Sequence, residues 1–102
     1  MKALALTPGT TDLKLIDRDV PQISTPTQII MKIIEVGICG TDREEAAGGR
    51  ADAPTGKTEL IIGHEMFGQV TQIGANVKSA KVGDYGVFMV RRPCGKCSAC
   101  AA

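Results

Sequence analysis

The 102 residues of this chain suffice for one small domain, and 12 lysines and arginines against 11 aspartates and glutamates give a net charge of +1. This near-neutral balance offers no broad basic surface for nucleic acid or for an anionic membrane, so neither is expected as a partner. The sequence contains no apolar run as long as a membrane span and no signal-peptide pattern, so we expect a cytoplasmic protein.

Short apolar segments separated by glycine, proline and polar residues predict strands along most of the chain. The predicted strands cover residues 1–6, 13–17, 28–36, 67–74 and 85–90. We expect Thr41 or Asp42 to cap a short helix over residues 43–47, and residues 50–59 to form a surface loop. Many short strands at close spacing are typical of a β-barrel or sandwich, so the predicted fold class is mainly β.

A cysteine, a histidine and a glutamate follow apolar runs in two glycine-bounded turns. Cys39 lies between two nearby glycines, and His64 and Glu65 directly follow another glycine. A thiolate, an imidazole and a carboxylate suit Zn²⁺, and three protein ligands with an open fourth position define a catalytic zinc site. The alternatives are that Cys39 is a buried small hydrophobe, that His64 is an interior histidine and that Glu65 is a solvated turn residue.

A second group of thiols lies near the end of the chain. Cys94, Cys97 and Cys100 are separated by two residues each, a spacing that lets thiolates surround one ion. A redox pair with a spare cysteine is the alternative, since Cys-x-x-Cys also occurs in redox motifs. The crowding of three cysteines in one loop favours a metal site in a reducing compartment over disulfides.

Three motifs carry a family resemblance: Gly37-Ile38-Cys39-Gly40-Thr41-Asp42, Gly63-His64-Glu65 with Gly68 and Val70, and Val82-Gly83-Asp84 before the cysteine loop. With them the chain resembles the N-terminal part of the zinc-dependent medium-chain alcohol/polyol dehydrogenases. Residues 42–44, 53–56 and 91–95 look most like the glucose (aldose) 1-dehydrogenase branch. The resemblance implies a GroES-like, partly open β-barrel with short helical segments over residues 1–102.

The resemblance also implies roles for the site residues. Cys39, His64 and Glu65 would bind the catalytic zinc, Glu65 either directly or in exchange with the zinc-bound water, and Asp42 would be the carboxylate partner of His64. Thr41 is placed to relay a proton, although simple helix capping is an equal alternative for Thr41 and an additional role for Asp42. Cys94, Cys97 and Cys100 would hold a structural zinc, for which the family supplies a fourth cysteine further along.

The implied function is oxidation of an aldose to its lactone, with Zn²⁺ and either NAD or NADP as cofactors, by a homo-oligomeric parent enzyme. No Gly-x-Gly-x-x-Gly follows a predicted strand, so we expect the Rossmann nucleotide domain elsewhere in a longer parent and no turnover by this chain alone. The alternatives are another zinc alcohol, polyol or threonine dehydrogenase, and a non-enzymatic GroES-like zinc-binding module.

Overall fold

The computed structural model describes residues 1–90 and 93–101, which form two small antiparallel sheets. The strands are β1 (Lys2–Leu6), β2 (Leu13–Asp17), β3 (Ile29–Gly37), β4 (Leu60–Ile61), β5 (Glu65–Ile73) and β6 (Tyr85–Val87), and the helices are α1 (Gly40–Ala46) and α2 (Ser98–Ala101). One sheet has the strand order β2-β1-β4 and the other has the order β3-β5-β6. The prediction of a mainly β fold with short helical segments is confirmed.

The strand boundaries differ from the predicted ones at the two strands nearest the histidine. β5 starts at Glu65, so this residue opens a strand, whereas the sequence placed it in a turn. β6 ends at Val87, three residues earlier than predicted, and just beyond it the Phe88 amide donates a long hydrogen bond of 3.4 Å to the Met66 carbonyl. The short helix α2 within the cysteine loop was not predicted.

The prediction that Thr41 or Asp42 caps the helix after Cys39 is wrong. Cys39 itself is the N-cap of α1, and both predicted caps lie inside the first turn. The Asp42 carboxylate reaches back and accepts a hydrogen bond of 2.8 Å from the Cys39 backbone amide. A carboxylate at the third helical position can satisfy the amide of the cap in this way, which explains why the helix begins earlier than the cap residues suggested.

The pairing of β3 with β5 places the ends of these strands beside each other. Gly37 pairs with Glu65 and Glu35 pairs with Phe67, and the register shifts between Ile33 and Glu35. Such a bulge inserts an extra residue, so the residues on either side of it no longer follow the simple alternation of faces. As a result Glu35 lies on the same face of the sheet as Phe67, Gly37 and Glu65.

The described residues bury few apolar side chains. The buried hydrophobic residues are Ala5, Leu6 and Val70, whereas Ile34 and Val36 on β3 are 51% and 53% exposed. No helix within residues 1–90 and 93–101 combines the length and the apolar character required to cross a membrane. The basic pair Arg91-Arg92 lies outside the described residues.

Candidate metal centre

Three of the sequence-predicted site residues meet where β3 ends and β5 begins. Cys39 follows β3 by two residues, His64 precedes β5 and Glu65 is its first residue. The antiparallel pairing of the two strands brings these positions together, and one ligand atom from each side chain lies within 4.8 Å of the others. The structure therefore assembles a thiol, an imidazole and a carboxylate at one point. Their role as metal ligands remains a prediction.

The residue before the histidine has a backbone conformation that favours glycine. Gly63 has a φ of +109°, which a residue with a side chain rarely adopts. A Cβ atom there would lie 3.5 Å from Cγ1 of Val36, an ordinary van der Waals contact, so the preference for glycine comes from the backbone alone. Gly63 thus turns the chain between β4 and His64. Its position directly before the histidine was visible in the sequence, but its φ was not.

Asp42 contacts both Cys39 and His64. Its Oδ2 accepts the bond from the Cys39 amide, and its Oδ1 lies 3.4 Å from Nδ1 of His64. The Asp42 side chain is only 11% exposed, so water competes little for these contacts. A carboxylate facing Nδ1 favours the tautomer in which Nε2 is free to bind a metal. The Thr41 hydroxyl lies 3.5 Å from Nε2, on the side of the ring that would face the ion.

In the absence of metal, the surroundings of the site lower the pKa of the Cys39 thiol and raise the pKa of the His64 imidazole. The pKa of Cys39 is lowered chiefly by a hydrogen bond from the Thr41 backbone amide, then by the Thr41 hydroxyl and His64. The pKa of His64 is raised chiefly by its hydrogen bond with Cys39, against the opposing effect of burial, and the charge of Asp42 adds to the increase. An imidazole that carries a proton must lose it before it can bind a metal, so the affinity of the site should increase with pH through the pKa of His64.

We expect Asp42→Asn to weaken metal binding at this site by about 10- to 100-fold, because the carboxylate that orients a metal-bound histidine typically contributes that much. The amide keeps the shape and an acceptor for the Cys39 amide but loses the negative charge beside His64. Isothermal titration with Zn²⁺ measures the change in a chain in which Cys94, Cys97 and Cys100 are replaced by serine, so that the second thiol group does not contribute. Asp84→Asn is the matched control, since Asp84 accepts a 2.9 Å bond from the Lys81 amide with the same three-residue spacing, away from the site. Equal losses in both variants would contradict the role of Asp42.

An open cleft of about 360 Å³ lies next to His64 and Glu65. Its walls include Glu35, Phe67 and Val87, which share one face of the β3-β5-β6 sheet. No motif in the sequence marks these three residues as part of a site. Glu35 reaches the cleft only because of the bulge in β3, and no local pattern in the sequence signals that bulge.

The three cysteines of the second group also converge. The Sγ atom of Cys100 lies 3.8 Å from that of Cys94 and 3.5 Å from that of Cys97, and all three thiols are exposed and free. The backbone amides of Lys96 and Cys97 donate to the Cys94 sulfur at 3.4 and 3.3 Å. These bonds, with smaller contributions from the Cys97 and Cys100 thiols, lower the pKa of Cys94 to about 7. A loop that stabilises a thiolate in this way is suited to a metal cation.

The similarity of the chain to known proteins agrees with this geometry. The family model of the alcohol dehydrogenase GroES-like domain matches residues 25–102. Glucose 1-dehydrogenase of Methanocella arvoryzae is 44% identical over an alignment of 102 positions, which covers 98% of this chain and 28% of that protein. Among solved structures, alcohol dehydrogenase TADH of Thermus sp. ATN1 is 25% identical with a TM-score of 0.81, over 99% of this chain and 28% of that one.

A second solved structure is the glucose dehydrogenase of Haloferax mediterranei in complex with NADP, Zn and gluconolactone. It is 32% identical with a TM-score of 0.69, over 83% of this chain and 23% of that one. The chain thus spans little more than a quarter of the length of the relatives it matches. The family match over most of the chain and the shared fold show that this chain belongs to the alcohol dehydrogenase GroES-like domain family.

Proposed function

We propose that residues 1–102 are a fragment of the catalytic domain of a zinc-dependent, NAD- or NADP-linked glucose or aldose 1-dehydrogenase. The observation that carries the proposal is the convergence of Cys39, His64 and Glu65 within 4.8 Å beside an open cleft. The similarity to glucose dehydrogenases, one of them solved with NADP, Zn and gluconolactone, supports the choice of substrate and cofactors. The substrate is a small sugar that is oxidised to its lactone.

The donor set fits zinc. One thiolate, one imidazole and one carboxylate are ligands that Zn²⁺ accepts, and three of them leave a position for substrate or water. Zinc would polarise the substrate hydroxyl as a Lewis acid, and the nicotinamide would accept the hydride. The ligands of the ion would be Cys39, His64 and Glu65, and Asp42 orients the imidazole ring of His64 through Nδ1.

The Thr41 hydroxyl is placed to receive the proton that leaves the substrate. The Thr41 hydroxyl lies 3.5 Å from the metal-facing nitrogen of His64 and is exposed, so it can accept a proton from a hydroxyl bound at the open position and release it to solvent. Phe67 and Val87 provide an apolar wall of the cleft beside His64 and Glu65. Glu35 supplies a further carboxylate that can accept hydrogen bonds from a polyhydroxylated substrate.

The nicotinamide-binding part of the enzyme would lie in the remainder of a longer parent polypeptide, and so would a fourth ligand for a structural zinc at Cys94, Cys97 and Cys100. The exposed apolar side chains of β3 support this proposal. Ile34 and Val36 are about half exposed, although β-branched side chains in strands normally pack against a neighbouring layer. A second domain packed against this strand would remove them from water.

Kinetics of the full-length enzyme test the proposal. We expect kcat/KM for an aldose to exceed that for ethanol or threonine by about 100-fold or more, because a site that hydrogen-bonds several substrate hydroxyls discriminates against ligands that lack them. The lactone should be identified as the product, and chelation of zinc should abolish turnover. A preference for threonine or for a simple alcohol would contradict the aldose assignment, and the absence of any metal-dependent oxidation would contradict the enzyme assignment.

A further inference from the structure

Gly37 is the last residue of β3 and pairs directly with Glu65. Glycine weakens a strand, since it has no side chain to pack and loses more backbone entropy than other residues. The backbone does not require it here, because Gly37 is not among the glycines with positive φ. A β-branched residue, like those that precede it in β3, would fit the strand better. The presence of glycine at this position therefore calls for another physical reason.

The surroundings of Gly37 supply this reason. A Cβ atom at position 37 would lie 3.0 Å from Cβ of Glu65 and still closer to Oε2 of the Glu65 carboxylate. The volume that a side chain at position 37 would fill is thus occupied by the carboxylate that converges with Cys39 and His64. Glycine in a strand commonly marks such a close approach.

We propose that Gly37 is a positioning residue for the metal centre, which leaves free the volume in which the Glu65 carboxylate is held toward Cys39 and His64. The inference rests on the proposed function. A methyl group at position 37 would displace the carboxylate. Because Glu65 is exposed and its carboxylate is at the end of a flexible side chain, the carboxylate can rotate away, and the 3.0 Å contact between the two Cβ atoms requires the paired strands to shift by only a few tenths of an ångström. The substitution should therefore affect the metal centre and leave the fold intact.

Gly40 provides a matched control on the other side of Cys39. It also lacks a positive φ, and a Cβ atom at this position would meet no atom within 4 Å. Gly37→Ala and Gly40→Ala thus make the same chemical change at two sites that flank the same ligand. Only the first change competes with Glu65 for space.

The experiment uses the full chain with Cys94→Ser, Cys97→Ser and Cys100→Ser, hereafter the three-serine background, so that Cys39 is the remaining thiol. Co²⁺ is titrated as the probe, and its absorption reports both affinity and coordination. We expect Gly37→Ala to weaken Co²⁺ binding by about 10- to 100-fold, as for other disturbances of ligand orientation, and to change the d–d bands. We expect Gly40→Ala to change the affinity by less than about 2-fold and Glu65→Ala to weaken it as much as Gly37→Ala does.

A double variant decides whether Gly37 acts through Glu65. If it does, Gly37→Ala combined with Glu65→Ala weakens binding no more than Glu65→Ala alone, because the two changes remove the same interaction. Additive losses would overturn the inference, and so would equal effects of Gly37→Ala and Gly40→Ala or a Glu65→Ala variant with unchanged affinity. Loss of the folded circular dichroism signal in Gly37→Ala would also overturn it, since the methyl group would then have disrupted the strand and not merely moved the carboxylate.

The failure of the proposed function has a different signature. If Cys39→Ser leaves Co²⁺ binding in the three-serine background unchanged, the chain has no metal centre at this position, whatever Gly37 does. If Cys39→Ser abolishes binding and Gly37→Ala has no effect, the metal centre stands and only the role of Gly37 is lost.

Discussion

Replacing Cys39 with serine should weaken metal binding at the candidate centre by more than about 100-fold. Structural zinc sites with four ligands bind with about 10–16 kcal/mol, so one thiolate contributes on the order of 3 kcal/mol, and every 1.4 kcal/mol is a factor of about ten in affinity. Serine keeps the size of the side chain but is a much weaker ligand at neutral pH. In the full-length dehydrogenase that we propose, the same change should abolish turnover.

Absorption spectroscopy of the cobalt-loaded three-serine background measures this effect directly. The thiolate-to-cobalt charge-transfer band should be present with Cys39 and absent in Cys39→Ser, because no other thiol then remains in the chain. Thr41→Ser is the control, since it alters the same segment but keeps the hydroxyl near His64 and all three ligands. A charge-transfer band that survives Cys39→Ser, or an equal loss in Thr41→Ser, would show that Cys39 is not a ligand.

The isolated chain should have a free energy of unfolding below about 3 kcal/mol, less than the 5–15 kcal/mol of ordinary domains. Its accessible surface is 7894 Å², whereas a compact monomer of 10.7 kDa exposes roughly 5,500 Å². Its radius of gyration of 15.5 Å also exceeds the value of about 13 Å expected for 102 residues. With three buried hydrophobic residues in the described part of the chain, little apolar burial opposes the entropy of unfolding.

Urea denaturation followed by circular dichroism measures this stability in the isolated chain and in the full-length parent. Val36→Thr tests whether β3 is covered in the parent. In the isolated chain Val36 is 53% exposed, so the change should cost less than about 0.5 kcal/mol. In the parent, where Val36 would be covered, Val36→Thr should lower the free energy of unfolding by about 1–3 kcal/mol, because a hydroxyl replaces a buried methyl group.

Val20→Thr is the control for this comparison, since Val20 is 57% exposed and lies outside both sheets. It should have little effect in either protein. An unfolding free energy of 5 kcal/mol or more for the isolated chain, or equal costs of Val36→Thr in both proteins, would show that this strand needs no covering partner.

The sequence predicted the elements that depend on local pattern. The strands from Lys2 to Leu6 and from Leu13 to Asp17 follow from short apolar segments ended by turn residues. The donor set was also visible, because Cys39 and His64 directly follow glycine-bounded apolar runs. A strand can be predicted from its sequence pattern when the interactions that stabilise it are made mainly by residues close to it along the chain.

The helix cap and the start of β5 were predicted wrongly for a common reason. Capping preference ranks Thr41 and Asp42 above Cys39, but in the structure the Asp42 carboxylate binds the Cys39 amide and faces His64. The histidine lies 22 residues beyond Asp42 along the chain, so its contribution to this arrangement is invisible locally. Pairing with β3 likewise extends β5 back to Glu65.

The sequence by itself thus determined which chemical groups the chain offers and which short segments become strands, since both are properties of the residues and their immediate neighbours. Only the tertiary structure decided that Glu35 turns into the cleft, that Asp42 serves two partners and that Gly37 leaves room for the Glu65 carboxylate. These arrangements depend on the register between β3 and β5. Register is set by the packing of residues far apart in the chain, and a shift of a single residue reverses the face on which each side chain lies.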